Sequence, residues 1–418
     1  MKELVQFPEL PADITATVAR LHSALAEPGP TLAEIIVIFE SWAAALSARE
    51  LDEVPGVAFL RLWLRKGTLE PMINRELGRG ALTGGWEEDG RAQLKAFPVG
   101  IVGHWPAGNI EIQPILSMTC GLLGGNAALV RIPSDLVEVT GRLMALLAGS
   151  SGGERLLHRI ALLSFDHTRQ DLQDAMAQSV DGAMIWGGKE AVLNIRKLPF
   201  PSWAHLAVFG PRLSVAAMDA SVWADPAQHE AWCQRIARDV WQFDQQACSS
   251  PQTLFLEKKP GCSSAAFVSA LQKAFINENK HHPRQAIHPA LTSAICQIRA
   301  SWLLADAEHK AFFPQGPDWT LLTGSGSGIP TPTQGKTLTI LEVDDLSEPV
   351  SKFDGNVQTL GLAIGDAGTE AKLAKLAGER GVDRIVKLGR MHLFVPPWDG
   401  MDLIRPMVRL VRHVPSTE

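Results

Sequence analysis

Five cysteines, at positions 120, 233, 248, 262 and 296, are the sequence's strongest candidates for covalent chemistry. Their number is odd and no two are spaced Cys-x-x-Cys, which argues against a disulfide framework and against a structural zinc site. Cys120 in ILSMTCGLL and Cys296 in SAICQI lie inside apolar runs, the usual setting of a buried structural thiol. Cys248 lies instead in WQFDQQACSSPQ, between a helix-like stretch and a strand-like one. Its neighbours Ala247, Ser249 and Ser250 are small, so a substrate can approach closely, and backbone amides in such a turn favour a thiolate. Local chemistry alone leaves two readings open, a nucleophile and a structural thiol. A second candidate is Asn109, where FPVGIVGHWPAGNIEIQP leaves a strand and enters a helix. Asn is a favoured helix N-cap, and its amide is equally suited to hold an oxyanion.

Other constellations fail on spacing. The Gly324–Gly328 patch resembles a phosphate loop, but a Walker A motif needs Gly five positions before its Gly-Lys pair, and Pro330 stands there relative to Gly335-Lys336. No Gly-x-Gly-x-x-Gly follows the first strand of the α/β region. His281, His282 and His288 lack converging carboxylates or thiols, and Pro283 breaks their segment, so a solvated loop is expected rather than a metal centre. With twelve Trp and no Tyr, no mechanism here can use a phenol.

The elements that must position these residues follow from the hydropathy pattern. Of 418 residues, 46% are hydrophobic and 20% charged, with net charge −6, enough apolar material for large cores and for two or three domains or a two-lobed enzyme. There is no basic excess to suggest nucleic acid or an anionic membrane as partner. No apolar run is long enough for a membrane span, and MKELVQFPELPAD lacks a signal-peptide pattern, so a cytoplasmic location is expected. Residues 1–95 read as helices packed on the cofactor domain; Thr31 and Glu34 form a capping box ahead of the helical apolar positions Ile35, Ile36 and Phe39. From residue 96 apolar runs (FPVGIVGHW, AALVRI, RIALLSF, GAMIW, HLAVFG) alternate with amphipathic helices, the pattern of a doubly wound parallel sheet. After Val240 a second α/β unit follows, with strands QTLFLE, DWTLLTG, KTLTILEV, VQTLGLAI and DRIVKL.

Taken together, QQACSSPQ, GHWPAGNI, GGNAALVRIPS, MIWGGKEAV, VFGPRLS, FDGNVQTLGL, GVDRIVKLGRM and PPWDG resemble the aldehyde dehydrogenase superfamily. More narrowly, they resemble the fatty acyl-CoA reductase family of bacterial bioluminescence (LuxC-like). The resemblance spans roughly residues 95 to 410. It implies an aldehyde-dehydrogenase-like α/β fold, two Rossmann-type lobes with the active site between them. Residues 96–243 would bind the cofactor, 244–390 would carry the nucleophile, and 391–418 would return to the first lobe or make an oligomer contact. Cys248, two residues after Gln246, matches the superfamily's Gln-x-Cys nucleophile, and Asn109 its oxyanion-hole amide. Pro106 and Ala107, just before that Asn, are expected to bind the cofactor; Arg131 and Ser134 match a segment that meets the adenosine ribose. Gly187 and Gly188 match a turn before a short helix facing the pyrophosphate, and Gly210 lies in VFGPRLS, near the cofactor.

The resemblance has one informative departure. Hydrolytic members carry a Glu before a Gly-Gly-Lys turn to activate the deacylating water, whereas Ala204 to Ser214 here holds no acidic residue. That favours reducing an acyl thioester over oxidising an aldehyde. The expected activity is NADPH-dependent reduction of an acyl-CoA or carrier-bound fatty acyl group to an aldehyde. Arg131 is either a partner for a 2′-phosphate or a surface charge. Aldehyde oxidation and a non-catalytic acyl-binding subunit are the alternatives. The resemblance also implies an acyl-protein synthetase partner and a homo-oligomer.

Overall fold

The computed structural model describes residues 5–7, 14–284 and 287–415. Two compact units emerge. One holds the residues up to Gly210 together with Val395–Pro397 and those from Met401 onward; the other holds Pro211–Phe394 and Trp398–Gly400.

The first unit is built on a six-stranded sheet. Its order is Val5–Phe7, Ile160–Ser164, Ala127–Arg131, Ile101–Trp105, Gly182–Trp186 and His205–Phe209. All neighbours run parallel except the edge strand Val5–Phe7. Central strands buried at every position, such as Ile101–Trp105 and Gly182–Trp186, are what a sheet covered on both faces requires. Helices Gln113–Leu123, Val137–Ala148, Gln170–Gln178 and Lys189–Ile195 make the connections. Strand order reverses beside Ile101–Trp105, the first of the parallel strands in the chain, and at such a reversal the carboxyl ends leave a crevice. The run FPVGIVGHW is two strands, not one. Ala92–Pro98 pairs with Glu87–Asp89 and Val408–His413 in a separate antiparallel sheet, and the chain breaks at Gly100, φ +138, where a Cβ would lie 2.1 Å from Asp181 Oδ2.

The N-terminal helices follow the apolar period. In Leu32–Ala45 the Thr31 N–H donates to Glu34 Oε2 at 2.7 Å and the Glu34 N–H to Thr31 Oγ1 at 3.3 Å, the reciprocal cap its sequence predicts, while Ile35, Ile36 and Phe39 are buried. From helix Lys66–Leu77 the buried Glu76 carboxylate accepts the backbone N–H groups of Leu403, Ile404 and Arg405, fastening the C-terminal segment to this unit.

The second unit has a seven-stranded sheet. Its order is Lys310–Phe312, Thr320–Ser325, Thr337–Val343, Pro251–Glu257, Leu213–Met218, Val357–Ala363 and Arg384–Lys387, parallel except for the first. One core is formed where helices His229–Trp241 and Ala265–His281 pack on the sheet, with Trp223, Phe267 and Phe275 at its centre. Cys296 corrects the expectation of burial. Helix Pro289–Leu303 buries Ile295 and Arg299, and the next position round the helix, Cys296, is exposed. His281 ends one helix and His288 caps the next through Nδ1, which accepts the Ala290 N–H at 3.2 Å; Gln285 and Ala286 between them lie outside the described residues. Among the described residues no helix is long and apolar enough to cross a membrane.

Candidate active site

Cys248 sits in the turn between helix His229–Trp241 and strand Pro251–Glu257. Phe243, Asp244 and Gln245 all adopt left-handed backbone, φ 54, 51 and 61. Such residues cost about 1–2 kcal/mol each, so the surroundings must enforce the conformation. Asp244 is held by Arg284, with Nε and Nη2 both 2.9 Å away, and by Lys336 at 3.5 Å. Gln245 is buried: its Nε2 donates to the carbonyls of Pro251 and Thr337 at 2.8 and 2.9 Å, and its Oε1 accepts the Thr337 N–H at 2.6 Å. Phe243 meets the His392 ring edge-on at 5.6 Å. The Cys248 carbonyl accepts from Ser214 Oγ at 2.7 Å, so strand Leu213–Met218 fixes the far side. The Gln246 N–H closes the turn onto Phe243 O at 2.9 Å.

Around the half-buried Cys248 stand groups that the sequence did not single out. Gln358, on strand Val357–Ala363, donates from Nε2 to Cys248 Sγ at 3.3 Å and also to Asp399 Oδ1. Thr359 Oγ1 donates to Gln358 Oε1 at 3.2 Å and accepts from Arg384 Nη1 at 3.0 Å. Arg384 also donates to Leu393 O at 2.8 Å and lies over the Trp398 ring at 4.2 Å. Burial, with the neighbouring Asp399 carboxyl, pushes the Cys248 thiol up to about 12, while the Gln358 N–H, Arg384 and the Ser249 backbone N–H pull it the other way. Arg384 is lowered by burial to about 10, and Asp399 is raised by burial. Ser249 is pinned separately. His392 Nε2 lies 2.7 Å from the Asp239 carbonyl, which only an N–H can satisfy, leaving Nδ1 to accept from Ser249 Oγ at 3.0 Å. Burial lowers His392 to about 4, so the ring is neutral.

The candidate cofactor residues gather in the first unit, at the carboxyl ends of adjacent parallel strands. Pro106 and Ala107 follow Ile101–Trp105, Arg131 ends Ala127–Arg131 with Ser134 just beyond, Gly187 and Gly188 follow Gly182–Trp186, and Gly210 follows His205–Phe209. Asn109 is in the loop after Ile101–Trp105 and is exposed. The loops touch: a Cβ on Gly108 would meet Pro133 at 3.4 Å. Trp186 stacks on Phe209 at 3.7 Å, and its Nε1 donates to buried Ser117, which bonds His104 Nδ1 at 2.8 Å. This network holds the Trp186-Gly187-Gly188 turn in place. Side chains added at Gly188 or Gly210 would project into open space. Arg131 Nη2 donates to Phe165 O at 3.2 Å, while its Nε is buried without a hydrogen-bond partner. Ser134 Oγ contacts Asp135 at 3.2 Å.

These two sheets define an aldehyde-dehydrogenase-like fold. The chain aligns with an aldehyde dehydrogenase from Bartonella henselae (TM-score 0.66, 14% identity, 95% of this chain and 90% of that one). It also aligns with proline utilization A of Bradyrhizobium japonicum (TM-score 0.70, 13% identity, 97% of this chain), spanning only 45% of that longer chain. Within that fold class the chain belongs to the acyl-CoA reductase (LuxC) family, which matches residues 40–412. It is 24% identical over 358 residues to the long-chain acyl-protein thioester reductase of Vibrio harveyi, covering 84% of this chain and 71% of the relative. To the enzyme of the same name from Aliivibrio fischeri it is 23% identical, with 83% and 71% covered. Membership places the chain among oxidoreductases that act on acyl thioesters.

Proposed function

We propose that this chain reduces a long-chain fatty acyl thioester, presented as acyl-CoA or on a carrier protein, to the aldehyde, with NADPH as reductant and Cys248 as the acylated nucleophile. The observation that carries this reading is the Gln358 amide donating to the Cys248 sulfur at 3.3 Å, in a turn held by Arg284, Lys336, Gln245 and Ser214. A structural thiol has no need of such a donor. The Cys248 sulfur attacks the acyl carbonyl, the leaving thiol departs, and a thioester remains on the protein. The Asn109 amide is assigned to the oxyanion, a contribution worth on the order of 10²–10³ in rate.

The first unit suits a dinucleotide. Open space at Gly188 and Gly210 admits a ligand to the strand ends, and Arg131 closes the strand next to the position proposed for the ribose. Pro106, Ala107, Ser134 and Gly187 would line the same strand ends. The bound nicotinamide would supply the hydride that turns the thioacyl group into an aldehyde. Because the stretch Ala204 to Ser214 offers no carboxylate to activate water, hydrolysis of the acyl-enzyme should be slow. A synthetase that charges fatty acids onto protein, as the relatives' names suggest, would be a fitting partner.

Purified protein given NADPH and a long-chain acyl-CoA should consume the cofactor and release aldehyde. Cys248→Ala should bind cofactor and make none; turnover at the wild-type rate would refute the nucleophile assignment. Asn109→Ala should lower kcat far more than substrate affinity, and an unchanged kcat would leave that residue only its place in the loop.

A further inference from the structure

We propose that Asp399 is the acid–base group of this site: it takes the Cys248 thiol proton as sulfur attacks the thioester carbonyl and passes it to the departing thiol. The proposal rests on Cys248 being the nucleophile. The Gln358 amide ties the two groups together. An amide nitrogen carries two hydrogens, and here one points to Cys248 Sγ at 3.3 Å and the other to Asp399 Oδ1. Two acceptors on one nitrogen are no further apart than the two bonds combined, a gap that one water spans. The amide cannot turn over, because its oxygen accepts from Thr359, whose own oxygen accepts from Arg384. Both hydrogens are thereby aimed at the sulfur and the carboxylate.

Asp399 itself stands at φ +49, in the left-handed region. Its carboxyl is largely desolvated and is held by the same Gln358 amide that meets the Cys248 sulfur. The cations acting on it are Arg212 and Arg384; the acidic groups around it are Cys248 and Asp383, the latter ion-paired to Arg212. Burial makes the carboxylate a stronger base than an ordinary Asp, which suits it to accept a proton and return it.

The step balances. The Cys248 S–H bond breaks toward the Asp399 carboxylate as the S–C bond forms. The tetrahedral centre then collapses, the bond to the leaving sulfur breaks, and the Asp399 acid protonates that sulfur. Cys248 ends acylated, Asp399 ends ionised, and nothing is oxidised or reduced.

The test is acylation of the full chain by a long-chain acyl-CoA without NADPH, followed by mass spectrometry of the peptide holding residue 248, from pH 6 to 9.5. Asn tolerates positive φ, so Asp399→Asn should fold, and its acylation at pH 7 should be about 10²–10⁴-fold slower, the range general acid–base catalysis covers. The deficit should narrow as pH rises and hydroxide takes the proton instead. Asp399→Gly, unstrained at this φ, should regain rate with added formate, which also decides the matter if the Asn variant misfolds. A wild-type rate in Asp399→Asn, or a deficit equal at every pH with no response to formate in Asp399→Gly, overturns the proposal. If the wild-type chain takes no acyl group on residue 248, the nucleophile reading fails first, and that outcome is distinct from a defect confined to the Asp399 variants.

Discussion

A free cysteine titrates near 8.5, so at pH 8 about a quarter of it is thiolate. With Cys248 pushed up to about 12, the fraction at the same pH is roughly 10⁻⁴. Iodoacetamide reacts with the thiolate, so alkylation of this residue should be on the order of 10³-fold slower than that of a cysteine peptide at pH 8. Limited access would also slow the reaction, so the decisive readout is the pH dependence. Residue-resolved mass spectrometry should show the Cys248 rate climbing about tenfold per pH unit through pH 10, with no plateau near 9. The exposed Cys262 and Cys296 monitor reagent activity in the same sample. Gln358→Leu removes a donor to the charged sulfur. Such donors are worth about 1.5–3 kcal/mol, so the rate at fixed pH should fall roughly ten- to a hundredfold. A plateau below pH 9 would show that the sulfur ionises at least as readily as a free thiol, and would refute the reasoning that burial holds it protonated.

Two further outcomes are expected. Burial lowers His104 to about 3, whereas an unfolded histidine titrates near 6.5; its contribution to stability is therefore fully present above about pH 6.5 and is lost as pH falls toward 3, at about 1.4 kcal/mol per unit. His104→Asn should flatten the pH 4–6.5 slope of the unfolding free energy from urea titrations by about that amount, and an unchanged slope would mean that the folded protein carries this imidazole charged. Arg131→Ala should raise KM for NADPH by roughly ten- to a hundredfold and leave KM for NADH much less affected, the loss expected for one charge-assisted contact to a phosphate; equal effects on the two cofactors would confine Arg131 to its bond with Phe165 O.

The elements of the fold were legible because each strand and helix carries its own period. The capping box at Thr31, the five parallel strands of the first sheet and the turn that holds Cys248 all announce themselves within a dozen residues. Sheet membership was not legible. Strand Leu213–Met218 follows soon after His205–Phe209 yet joins the other sheet, between Pro251–Glu257 and Val357–Ala363, and apolar residues in a buried parallel strand do not encode their partners. Cys296 is exposed for a related reason: on a helix, adjacent residues point about 100° apart, so an apolar neighbourhood in sequence does not make an apolar neighbourhood in space. The polar surroundings of Cys248 were hidden by distance along the chain. Gln358 and Arg384 lie in strands that read as apolar runs, and Asp399 lies in a turn of the kind in which aspartate is ordinary. The signal available was the cost of putting an arginine and a glutamine inside buried strands at all.

That cost also explains the rigidity of the site. Gln358 is fully buried in a strand, so its amide must be satisfied, and the groups that satisfy it are Thr359, Asp399 and the sulfur itself. Substituting any one of these leaves another buried polar atom unpaired, which ties the position of the sulfur to the strand register rather than to loop contacts. On the other side, Ser214 holds the Cys248 carbonyl and Gln245 holds the edge of strand Thr337–Val343. Three strands of the one sheet thus converge on one turn from both sides. A sulfur placed this way would need little reorganisation to act as the proposed nucleophile, and preorganisation of that kind is where such sites gain most of their rate. The left-handed stretch at Phe243, Asp244 and Gln245 is then a consequence: the chain must leave its helix and present residue 248 to the strand ends within a few residues, and a left-handed turn enforced by Arg284, Lys336 and Thr337 is how this sequence does it.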